Sequence, residues 1–165
     1  LLYYDEPGAG GFYDDVGWPN ESPHLVAGEA LWGFNPFPGP AKLSHYNLAY
    51  SMRTEAPVAF RYDGLDPSAQ YVVRISVGAH LDGDSSFLEG VRLTGGLKAD
   101  DTVISDGFDI PTEDMVFHEF EIPKELSQDG MLNITLVPGP GPIPVTGCAE
   151  IWLLRKGNMP WSANP

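Results

Sequence analysis

Tyr71-Val72-Val73-Arg74-Ile75-Ser76-Val77 decides the fold. Tyr71, Val73, Ile75 and Val77 alternate with Val72, Arg74 and Ser76, and a period of two puts the first set on one face of a strand. The same period surrounds it. Upstream, Val58, Phe60 and Tyr62 alternate with Ala59 and Arg61, and Gly64-Leu65-Asp66-Pro67 makes a turn. Earlier still, Tyr46, Leu48 and Tyr50 alternate with Asn47 and Ala49. Downstream come Val91 with Leu93, then Thr102-Val103-Ile104-Ser105, then Val116, His118, Phe120 and Ile122. Leu132, Ile134 and Leu136 follow, and Ile151 with Leu153 closes the series. Eight or nine short strands separated by turn residues predict an all-β chain, an antiparallel β-sandwich. Its expected core includes Tyr71, Val73, Ile75, Val77, Leu132, Ile134, Leu136, Ile151 and Leu153. Pro123-Lys124-Glu125-Leu126-Ser127 has room for one helical turn at most.

Composition agrees. The 19 glycines and 16 prolines interrupt nearly every stretch long enough for a helix. A hydrophobic share of 42% and an aromatic share of 12% supply a core, and 165 residues suit a single domain. Nine basic against 23 acidic residues give a net charge of −14, which disfavours nucleic acid and anionic membranes as partners. No apolar run reaches the roughly 20 residues needed to span a bilayer. Cys148 is the single cysteine. It rules out an intrachain disulfide, and its apolar neighbours Ala149, Ile151 and Leu153 mark it as a small buried side chain. Asn20-Glu21-Ser22 and Asn133-Ile134-Thr135 match the glycosylation sequon, the second inside an expected strand. The chain opens Leu1-Leu2-Tyr3-Tyr4 without a charged segment leading into an apolar one. It is expected to be one domain, residues 1–165, of a larger protein.

The first forty-odd residues lack a period. Phe12-Tyr13-Asp14-Asp15 and Gly33-Phe34-Asn35-Pro36-Phe37-Pro38-Gly39-Pro40 are expected to form a long irregular wrap around the sandwich. Its aromatics bear on function. Sugar rings pack their C–H faces on indole and phenol rings, and arginine or carboxylates take the hydroxyls. Trp18, Trp32 and Tyr46 are candidate platforms, with Tyr3, Tyr4, Tyr13 and Trp161 as further aromatics, and Arg53 is a candidate polar clamp. Trp152 alternates against the core face and either packs on the second face or sits exposed. Arg92 is the other candidate clamp, a structural ion pair being the commoner fate of either arginine in so acidic a chain.

A catalytic site is harder to find. His24, His45, His80 and His118 are scattered without ligand spacing, and no nucleophile elbow or phosphate loop is present. His118, alternating with apolar residues, fits a satisfied core or sheet-face histidine better than a catalytic one. His80-Leu81-Asp82-Gly83-Asp84-Ser85-Ser86 is acidic but lacks the rest of a calcium loop.

Phe60-Arg61-Tyr62-Asp63-Gly64-Leu65-Asp66-Pro67 followed by Tyr71-Val72-Val73-Arg74-Ile75 resembles a passage of galactose-binding-like jelly rolls, many of them carbohydrate-binding modules or accessory domains of polysaccharide-degrading enzymes. The likeness covers residues 57–156. It includes a late strand pair from Phe117 to Leu136 and a closing strand from Cys148 to Leu154. The resemblance implies a structural calcium tying the N-terminal segment to the last strand, through Asp14, Asp15 and Glu150. It also implies a non-catalytic domain that holds an attached catalytic domain near a polysaccharide or oligosaccharide, in an extracellular or periplasmic bacterial protein. The alternatives are a structural sandwich packed against a catalytic neighbour and a small polysaccharide lyase or glycosidase on the same fold.

Overall fold

A computed structural model describes residues 1–5, 24–27, 29–30, 49–51, 58–77, 92–111, 116–140, 146–148 and 150–157. Among them are twelve strands: β1 (Tyr3–Asp5), β2 (Leu25–Ala27), β3 (Glu29–Ala30), β4 (Ala49–Ser51), β5 (Val58–Asp63), β6 (Tyr71–Val77), β7 (Leu93–Ala99), β8 (Thr102–Ile110), β9 (Val116–Ile122), β10 (Met131–Pro138), β11 (Thr146–Cys148) and β12 (Glu150–Arg155). Lys124–Ser127 forms the one short 3-10 turn that Pro123 and its neighbours allow in this stretch. Sheet A has the order β1-β12-β6-β9 and sheet B the order β2-β5-β10-β7-β8. A small third sheet runs β11-β4-β3. All strand pairings among the described residues are antiparallel.

The period of two is realised as two facing layers. Tyr71, Val73, Ile75, Val77, Ile151 and Leu153 turn inward from sheet A. Val58, Phe60, Tyr62, Leu132, Ile134 and Leu136 meet them from sheet B. Every residue expected in the core is buried. Register explains why the alternation was so clean. Val73 stands opposite Leu153 on one side and Phe120 on the other, so one slip would send the whole set to solvent.

Three stretches differ from expectation. The N-terminal region is not wholly irregular, because Tyr3–Asp5, Leu25–Ala27 and Glu29–Ala30 pair with strands of the three sheets. Segments of two or three residues have no measurable period; their state is set by the strand beside them. The strand at Thr102–Ser105 continues to Ile110, through an Asp106-Gly107 pair that alone signals a turn. Its partner β7 contains Gly95-Gly96, another breaker signal, and two register shifts separate Gly95 from Lys98 along this pair. Both glycines are filled from outside. A methyl on Gly95 would sit 2.6 Å from Phe108 Cζ, and one on Gly96 would sit 2.9 Å from Val137 Cγ2. The Phe108 ring covers the gap that a missing side chain leaves. Loop ends are fixed by similar detail. Gly130 takes φ +81°, which favours glycine, and its carbonyl accepts the Leu65 N–H at 2.9 Å.

Gly95→Ala should therefore destabilise the domain by about 1–3 kcal/mol through overpacking. Gly107→Ala, whose added methyl meets only Pro140 at 3.3 Å, should be milder. Urea midpoints of the two variants check this; equal midpoints would show that Phe108 moves aside freely.

Candidate functional site

Two groups of side chains stand out, one on each face of sheet A. On the inner face, Asp5 lies in β1 directly after Tyr4 and is fully buried. A buried carboxylate needs donors, and three converge on it. The His24 backbone N–H donates to Oδ1 at 3.2 Å, and His24 Nδ1 lies 3.0 Å from both carboxylate oxygens. The Tyr62 hydroxyl donates to Oδ2 at 3.2 Å. Tyr3 packs over the group, its ring 4.6 Å from His24 and 5.5 Å from Tyr62, and its hydroxyl donates to the Asp63 carbonyl at 2.6 Å. Burial, then the nearby Asp5 charge, pushes the Tyr62 phenol well above its ordinary range. Cys148 is buried as expected, and burial, then Asp5 and Glu150, pushes its thiol far up, so it stays a neutral thiol.

The outer face carries a different group. Register places Tyr4 opposite Trp152, Trp152 opposite Arg74 and Arg74 opposite Glu119, a single row across all four strands. In the adjoining row stand Glu150, Ser76 and Phe117. The Trp152 ring centroid is 5.4 Å from Tyr4 and 5.8 Å from Phe117, with interplanar angles of 34° and 58°. The Arg74 guanidinium lies 4.4 Å from the centre of the Phe117 ring and 5.7 Å from that of Trp152. Both contacts are within cation–π range. The rings are not sealed in: Phe117 is 51% exposed and Tyr4 37%. Tyr4 donates its hydroxyl to Glu150 Oε1 at 2.9 Å. Arg74 Nη1 reaches Glu119 Oε1 only at 3.7 Å. Arg74 Nε and Ser76 Oγ are buried without a hydrogen-bond partner among the described residues.

Of the residues expected to bind ligand, Trp18, Trp32, Tyr46 and Arg53 lie outside the described residues, as do the metal candidates Asp14 and Asp15. Glu150 is on the outer face, engaged by Tyr4. Among the described residues no three histidine, cysteine, aspartate or glutamate side chains gather as a metal would require. Trp152 sits on the second face, partly exposed. Arg92 pairs with Asp109 at 2.5 Å, and this ion pair holds the Asp109 carboxyl below its usual range. His118 bonds the Asp109 carbonyl through Nε2 at 2.8 Å and packs beside Phe108 and Phe120, a satisfied sheet-face histidine. His45, His80 and the acidic loop at 80–86 lie outside the described residues, as does Asn20. Asn133 is exposed on β10 and donates its side-chain amide to Asp100 Oδ1 at 2.8 Å.

Sequence reasoning missed Arg74 and Phe117. Both occupy the off-core phase of strands whose core phase was legible, but which strands are neighbours was not.

No protein-family model and no curated protein matches the chain. Solved structures share its fold. The ANXUR2 extracellular domain from Arabidopsis thaliana aligns with a TM-score of 0.63 at 10% identity, covering 93% of this chain and 48% of that one. The plant receptor-like kinase ANX2 aligns with a TM-score of 0.61 at 10% identity, with 93% and 47% covered. A family 35 carbohydrate-binding module from an environmental isolate aligns with a TM-score of 0.53 at 16% identity, with 81% and 88% covered. The chain thus spans about half the length of the receptor ectodomains and most of the length of the binding module. At these identities the likeness is one of fold: an antiparallel β-sandwich.

The Asp5 cluster yields a stability test. Tyr62→Phe removes one donor and should cost about 1 kcal/mol. Asp5→Ala leaves the His24 and Tyr62 groups unmet in a closed space and should cost more, on the order of 3 kcal/mol. The double variant should lose less than the sum, because the two share a bond. Denaturant unfolding of the three variants measures it, and an Asp5→Ala protein as stable as the parent would remove the clamp.

Proposed function

We propose that the chain is a non-catalytic carbohydrate-binding or accessory domain of the galactose-binding-like jelly-roll kind. It would be carried beside a carbohydrate-active catalytic domain in a secreted bacterial protein. The observation that carries this is the set of partly exposed rings beside an arginine and two glutamates, on a fold shared with a carbohydrate-binding module over most of that module's length. Holding an attached enzyme against a polysaccharide raises its effective concentration there, and this needs a binding face without catalytic groups. A net charge of −14 favours neutral or lightly charged glycans. Trp18 and Trp32 of the wrap, together with Tyr46 and Arg53, would contribute to binding. Calcium held by Asp14, Asp15 and Glu150 would tie the wrap to β12.

Affinity electrophoresis through gels containing soluble polysaccharides tests the function, run with calcium and with chelator. Retention on at least one glycan is expected. Retention on none would leave a structural sandwich that packs against its neighbour. Calcium should also raise the melting temperature, since an ion that binds only the native state stabilises it. Identical melting in calcium and in chelator would remove the metal.

A further inference from the structure

We infer that the outer face of sheet A is itself a glycan site, shaped for a single extended chain of neutral sugars rather than for a chain terminus or a crystalline surface. The inference rests on the carbohydrate-binding reading above and adds a place and a ligand class to it.

The geometry argues for the class. Tyr4 on β1, Trp152 on β12 and Phe117 on β9 form a chain of ring contacts across the outer face of sheet A, with Phe117 meeting Trp152 over the intervening β6. A single sugar would touch one ring there. A chain laid across the sheet, from Tyr4 over Trp152 to Phe117 in the adjoining row, touches all three and gathers enough contact to bind. The rings are tilted by 34° and 58° in succession. A crystalline surface is flat and needs coplanar rings, whereas one soluble chain can twist to follow rings that turn with the sheet.

The polar groups argue for a sugar rather than a protein. Arg74, its side chain 30% exposed, sets guanidinium N–H donors beside the rings, where sugar hydroxyls can accept from them. Glu119 and Glu150 border the rings and accept hydroxyl donors. An apolar protein surface laid here would desolvate Arg74 and both glutamates without pairing them. A glycan brings an apolar ring face and a rim of hydroxyls together, and keeps water in the contact. Charge favours a neutral chain. Glu119, Glu121 and Glu150 outnumber Arg74 and Lys156 on this face, and Lys156 is taken by Glu121 at 2.6 Å.

The test uses the full chain and its Phe117→Ala, Trp152→Ala and Arg74→Lys variants. Each is run in gels of hydroxyethyl cellulose, xylan and galactomannan, pulled down with microcrystalline cellulose, and checked by size-exclusion chromatography and thermal melting. The expected result is retention on at least one soluble polysaccharide but not on the crystalline one. Phe117→Ala should weaken retention on the order of tenfold, the size of one lost aromatic contact of about 1.4 kcal/mol. Its melting temperature should be unchanged, because that ring is half exposed. Arg74→Lys keeps the charge but loses the planar edge, and should also weaken binding. Undiminished retention in all three variants overturns the site while leaving the function standing, and its loss in Trp18→Ala or Trp32→Ala instead places binding in the wrap. A wild-type protein that no polysaccharide retains overturns both. Capture by microcrystalline cellulose overturns the single-chain geometry. A wild-type dimer that Phe117→Ala dissociates makes this face a protein interface instead.

Discussion

A carboxylate with no access to water, Asp5, is the constraint around which the N-terminal part of the fold is arranged. A lone charge in such a place would cost several kcal/mol. It is tolerable only because donors from two other strands or their ends reach it: His24 at the start of β2, and Tyr62 in β5. β1 belongs to sheet A, whereas β2 and β5 belong to sheet B. The cluster therefore ties the two layers together at one edge by directional bonds, where apolar contact alone would allow sliding. It also fixes β1 in register. With Asp5 held inward, Tyr3 must also face inward and Tyr4 outward, so the inner clamp determines where an outer-face aromatic stands.

Away from that edge the layers are held by ordinary apolar packing, with one unusual piece of construction. β7 runs through two glycines, and the bulk they lack is supplied by Phe108 from the neighbouring strand and Val137 from β10. The arrangement lets β7 and β8 bend through their register shifts without opening a void. On β8, the edge strand, Asp109 pairs with Arg92 just ahead of β7 and places charges at the sheet's margin, which discourages pairing with other chains.

The layered core was legible in the sequence because β6, β10 and β12 are long enough to show a period and are buried on their inner faces. The short strands were not. Tyr3–Asp5 and Leu25–Ala27 carry no pattern of their own and are strands only because β12 and β5 offer them hydrogen bonds. The outer-face group was half legible. Trp152 and Tyr4 could be named as aromatics with uncertain surroundings, and Glu150 could be named only for a different role. Arg74 and Phe117 looked like the solvent phase of amphipathic strands. Their meeting depends on β6 lying between β12 and β9, a fact of topology that no local window contains.

The first and last described strands of sheet A are neighbours, and they run antiparallel, with Tyr3 opposite Leu153 and Leu2 bonded to Leu153. Residues 1 and 155 therefore emerge from the same end of the sheet. This has a mechanical meaning. Tension applied between these two points would load the β1–β12 ladder one hydrogen bond at a time, a peeling geometry, rather than loading all its bonds at once in shear. β1 would yield first and at low force, drawing Asp5 from its donors, while the sandwich behind it stayed closed. The edge that is best secured chemically is thus the one that a pulling force would open most readily.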